Sequence, residues 1–133
     1  MTAFTLSSTV RRPYGRTLAD VRDALAGQGF GILTEIDLKA TLKSKLDVDV
    51  QPETILGACR PALAYRALQA EPSIAAVLPC NVVVRSVDAE TTVVEAFDPY
   101  AMIGLAGTTT LDDVAAEART RLTAALAVVE QEN

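Results

Sequence analysis

Apolar residues recur along this chain with two different spacings, and the switches between them mark the elements. Residues 4–10 alternate weakly and are rich in β-formers, which predicts a strand. In the following stretch, Leu18, Val21 and Leu25 share one helical stripe. Thr17, with Asp20 three residues on, reads as a capping box, and Gly29 suits the left-handed position after a helix of about three turns. Residues 30–36 then read as a strand. Asp37 can cap a short helix, LKATLKSKL, and DVDVQPE reads as a turn. Residues 54–59 form a short apolar strand. Pro61 suits the first position of a helix that runs through ALAYRALQA and stops at Glu71 and Pro72.

The second half is clearer. Residues 81–87 and 91–97 are Val-rich strands, and the turn at Asp88, Ala89 and Glu90 is short enough for a hairpin. Asp98 and Pro99 open a helical turn or loop through Gly107. Thr110 and Asp113 read as a second capping box, followed at helical spacing by Leu111, Val114, Ala118, Leu122, Ala125 and Val129. The apolar stripe of that long last helix must cover a sheet or a partner. The predicted order is β-α-β-α-β-α-β-β-α in one domain, residues 1–133. A short second helix and a hairpin argue against a doubly wound sheet. The expected architecture is an α+β two-layer sandwich, with a mixed, mostly antiparallel sheet and helices on one face. The other sheet face is then solvated or meets a second subunit.

Composition sharpens the function classes. Half of the 133 residues are apolar, chiefly Ala, Val and Leu, and 22% are charged, which fits a folded aliphatic core. The net charge is −5 with no basic tract, so nucleic acid and anionic membranes are not expected partners. The longest uncharged stretches, residues 72–84 and 99–111, span 13 residues each, short of a bilayer crossing of about 20. The start, MTAFTLSSTVRRP, lacks the pattern of a signal peptide. A cytoplasmic protein with reduced thiols at Cys59 and Cys80 is therefore expected. The chain has no histidine, which excludes His-based triads, Cys–His dyads and HExxH zinc sites. No cofactor is implied.

The remaining chemistry lies in a few side chains. Cys59 and Cys80 could meet and serve redox, sulfur-transfer or soft-metal chemistry, all of which need the thiolate. They could equally be buried, inert thiols. Cys59 precedes a helix, where the dipole and Arg60 would favour the thiolate. A right-handed parallel crossover would put the two cysteines at opposite ends of the sheet, whereas a helix that runs out and a loop that returns could let them meet. No metal is expected, since zinc usually takes four Cys or His ligands and one chain offers two, although a dimer could supply four or carboxylates could complete the set. Glu35 and Asp37 would share a strand face as a carboxylate pair, or Asp37 simply caps the next helix. Lys39, Lys43 and Lys45 are the one local concentration of positive charge, either a small anion site or solvated surface. The segment Gly104-Leu105-Ala106-Gly107 lacks a phosphate-loop pattern, and there is no G-x-S-x-G elbow.

Three segments, in order, carry a family resemblance. GF..LTEID at Gly29 to Asp37, ILGAC.P at Ile55 to Pro61, and LPCNVVV at Leu78 to Val84 resemble the DUF302 family. The resemblance implies a small α+β domain that forms dimers, without a settled activity. Similar family members usually read CNP where this chain has Cys59-Arg60-Pro61, and often carry His where it has Tyr65. A family site using that Asn or His would be changed here. Two function classes follow: a homodimeric ligand-binding or interaction module for an unknown small molecule, and a thiol-based protein. The open chemistry is concentrated at Cys59-Arg60-Pro61 and Cys80-Asn81.

Overall fold

A computed structural model describes residues 4–131. The first three residues of the stretch read against a signal peptide lie outside that range, as do the last two of the chain.

Five strands form one sheet: β1 (Thr5–Val10), β2 (Gly31–Asp37), β3 (Glu53–Cys59), β4 (Cys80–Asp88) and β5 (Thr91–Phe97), in the order β1-β5-β4-β3-β2. Every ladder is antiparallel, so the sheet expected as mixed contains no parallel pair. The physical reason is that β3 and β4 are direct neighbours. The helix between them runs out and its chain returns, instead of crossing over to a parallel strand. The helices are α1 (Tyr14–Gly27), α2 (Leu38–Leu46), α3 (Pro61–Ala70), α4 (Pro99–Ala106) and α5 (Asp112–Gln131). A 3-10 helix, Pro72–Val77, follows α3 and was not expected. α4 forms where a helical turn or loop was expected and adds a helix before the long last one; otherwise the element order agrees with the α+β expectation.

Alternation along the strands separates two faces. Leu56, Val82, Val84, Val94 and Ala96 point to the side covered by α1 and α5, where they meet Val21, Leu25, Leu122 and Val129. The final helix thus uses its stripe on the sheet. A second core sits beyond the end of the sheet, made by α3, the 3-10 helix, α4 and the first half of α5, around Leu63, Ile74, Met102 and Val114. α2 lies beside β2 and β3 and buries none of its residues.

Two helix starts differ from expectation. α1 begins at Tyr14 after Pro13, three residues before Thr17. The buried Thr17 hydroxyl is not a cap; it donates back to the Pro13 carbonyl at 2.9 Å. At α5 the Thr110 hydroxyl lies 3.1 Å from the Thr108 hydroxyl, not on the Asp113 amide. Asp37 does cap α2, accepting from the Ala40 amide at 2.9 Å, and Gly29 takes a φ of +83°. A side chain at Gly57 would collide with the Thr34 hydroxyl on β2 and stand 2.8 Å from the Pro79 ring. Only glycine lets β2 and the Pro79 segment close over this point of β3.

A buried ion pair ties the two long helices to the β1–α1 connection. Arg12 Nη1 lies 3.1 Å from Asp20 Oδ2 on α1, while its Nη2 donates to the Val129 carbonyl at 3.0 Å on α5. No described helix is long and apolar enough to cross a membrane.

Candidate functional site

The register of β3 and β4 settles where the cysteines lie. Ala58 is opposite Cys80, so Cys59 ends β3 one residue beyond the position facing the start of β4. Both thiols are free and border the same small interior gap of about 30 Å³, with Arg60, Leu63 and Met102 around it. Cys80 is buried among these residues. Burial pushes its thiol up to about 11, and the neighbouring Cys59 adds to the rise. That environment suppresses the thiolate that redox and metal chemistry require.

Arg60 is engaged elsewhere. Its Nε donates to the Gln28 carbonyl at 3.1 Å and its Nη1 to Glu117 Oε2 at 3.1 Å. Arg66 Nη1 meets the other oxygen of Glu117 at 3.3 Å. Arg60 therefore joins the end of α1, the start of α3 and the first half of α5. The nearby Tyr65 is exposed on α3.

Glu35, Asp37 and Lys43 lie away from this end. Glu35 pairs with Arg22 on α1, and Asp37 is occupied as the α2 cap. Lys43 is 2.8 Å from Asp47 and 3.7 Å from Asp49, and Lys39 donates to the Val50 carbonyl at 2.9 Å. Lys43 is thus paired within its own loop, and Lys39 is held to a backbone carbonyl. Among the described residues, no group of three or more Cys, Asp or Glu is placed to hold a metal ion.

Asn81 is different. It is exposed on β4, on the sheet face turned away from α1 and α5. That face holds a groove of about 550 Å³, within the usual size range of ligand sites. Val83 is in the floor. Phe4, Phe97, Val77, Pro79 and Leu105 supply an apolar end, where the 3-10 helix and α4 rise beside the sheet. Asn81 stands at that apolar end, level with Phe97 and opposite Gly57, and the Val83 row, which also holds Glu95, separates it from Arg85 and Glu53 at the polar end. Arg85 forms an ion pair with Glu95, and the Thr5 hydroxyl donates to Glu95 at 3.0 Å. The Arg85 guanidinium holds the Glu95 carboxyl below its ordinary range, against a smaller opposing effect of burial.

Of the residues singled out in the sequence, Cys59, Arg60 and Cys80 gather at one end of the sheet, and only Asn81 reaches the groove. Glu53, Arg85, Glu95 and Phe97 went unnoticed because they come from three strands. Their signal was present: Arg85 and Glu95 are the charged interruptions of two Val-rich strands that flank one hairpin turn.

The comparisons with known proteins agree with this fold. No curated protein matches the chain. The crystal structure of an uncharacterized conserved DUF302 protein from Bacillus stearothermophilus is similar, with a TM-score of 0.87 and 27% identity over 96% of this chain and 98% of that one. The family model for the domain of unknown function DUF302 matches residues 6–129, nearly the whole sheet and both long helices, and the chain belongs to the DUF302 family.

Proposed function

We propose that this protein is a non-enzymatic binding module whose small-molecule ligand sits in the groove on the helix-free side of the sheet. The observation that carries this reading is the groove itself: about 550 Å³, apolar at one end, with a few converging polar groups at the other. The thiol-based alternative is less well supported, since Cys80 is buried with its thiol pushed up to about 11 and Arg60 is committed to Gln28 and Glu117. The test is saturable binding of the neutral apolar dye Nile red to native protein. Leu105 is exposed and lines the groove, so Leu105→Asp removes apolar wall at little cost to the core. Losing that contact should weaken the dye about tenfold, from an apolar contribution of about 1.5 kcal/mol. Unchanged affinity would overturn the reading.

The module is also proposed to be a homodimer, joined along β2 and α2. β2 is an edge strand with Leu33 and Ile36 exposed, and α2 leaves Leu46 uncovered. The same patch carries Lys43 and Lys45 beside Asp47 and Asp49, which a twofold axis would set against each other. None of the residues that line the groove is on β2 or α2. Sedimentation that shows only monomer at every accessible concentration would remove the dimer.

A further inference from the structure

The charge balance of the groove points to a class of ligand. Its lining contains one guanidinium, Arg85, and two carboxylates, Glu53 and Glu95. Arg85 lies opposite Glu53 in the β3–β4 register, yet its guanidinium turns across β4 to Glu95 on β5. Glu95 is thereby satisfied twice, by Arg85 and by the Thr5 hydroxyl. Glu53 is half-buried at the start of β3, and its side chain has no hydrogen bond or ion pair within the described residues. A partly desolvated carboxylate without a protein partner gains most from a cation brought by the ligand.

The other end supplies the complement. Phe97 and Glu53 occupy opposite corners of a patch across β5, β4 and β3, about 15 Å apart along the backbone from strand rise and spacing. Val83 lies between those corners, and Phe4, Val77 and Leu105 border the Phe97 end. An elongated apolar body laid across Val83 would place a positively charged nitrogen at Glu53.

Resting on the groove reading above, we propose that the groove selects amphiphilic cations, namely amines with an extended apolar chain, through Glu53. The experiment compares n-octylamine, octanoate and octanol on the full chain at neutral pH. Affinity is measured by calorimetry, and the contact is located by amide chemical shifts around Val83 and Phe97. The amine should bind at these positions at least about tenfold more tightly than the matched acid or alcohol, the scale of one charge-assisted hydrogen bond. Glu53→Gln should abolish that preference, and Glu53→Lys should turn it toward octanoate. Thermal unfolding by circular dichroism checks that the variants are folded, and the wild-type comparison of amine with acid stands without them. Equal binding of the three probes, or a preference that survives Glu53→Gln, would overturn the cation assignment and leave the groove reading intact. No binding of any probe in the groove would overturn both.

Discussion

Gly57→Ala is the substitution whose sign tests the packing of the sheet most directly. An alanine in a strand ordinarily stabilises over glycine by about 0.5–1 kcal/mol, because it restricts the unfolded chain. Here the added methyl would collide with the Thr34 hydroxyl and stand 2.8 Å from the Pro79 ring. Overpacking of this kind costs about 1–3 kcal/mol. The cost exceeds the entropic gain, so the variant should be less stable by about 1–2 kcal/mol. With a urea slope of about 1–3 kcal/mol per molar, the midpoint should fall by roughly 1 M. Adding Thr34→Ala removes one of the two obstructions and leaves the ring, so part of the loss should return as a coupling of about 1 kcal/mol. The assay is urea unfolding of the two single variants, the double variant and the wild type. A Gly57→Ala midpoint at or above wild type would refute the clash, and a cost that is the same with or without Thr34 would refute its assignment.

Two further outcomes follow from buried groups. Arg12→Met should cost about 3 kcal/mol in urea unfolding, because it strands the Asp20 carboxylate and the Val129 carbonyl together; a loss under about 1 kcal/mol would show that the pair is dispensable. Cys80, with its thiol at about 11, is about one-thousandth thiolate at pH 8, so an alkylating reagent should leave it unlabelled until the chain unfolds. Its proton is held more tightly in the folded state than in the unfolded chain, whose thiol titrates near 9. Stability should therefore fall as pH rises from about 9 to 11, by up to about 3 kcal/mol, and Cys80→Ala should flatten that limb.

Local chemistry was the most legible part of the sequence. Asp37 before LKATLKSKL, Pro61 before ALAYRALQA and the short turn at Asp88 to Glu90 each specify their geometry within a few residues, and each element formed where expected. The start of α1 differs because Thr17 followed by Asp20 imitates a cap, while the helix already begins at Tyr14, with the Thr17 amide bonded to the carbonyl of the capping Pro13. The parallel component of the sheet was not excluded because strand order depends on which neighbour completes the buried face, a contest the periodicity does not record. The candidate site was least legible. Cysteines and charge clusters stand out in a sequence, whereas Glu53, Arg85 and Phe97 become a set only after three strands align. Gly57, at the centre of the ILGAC segment, carried its meaning only once Thr34 and Pro79 were seen to close over it.

The molecule has two apolar centres, and α5 threads both of them. Val114 and Ala118 belong to the centre beyond the sheet, and Leu122, Leu126 and Val129 to the one beneath it. The groove straddles this division. Its floor at Val83 is fixed by strand pairing, while Val77 and Leu105 stand on the elements that enclose the smaller centre. The rim of the groove is accordingly set by the packing of the smaller centre, and its base by the pairing of the sheet. Changes at Ile74 or Met102, out of reach of the floor, would resize the frame of the groove and leave its base as it is.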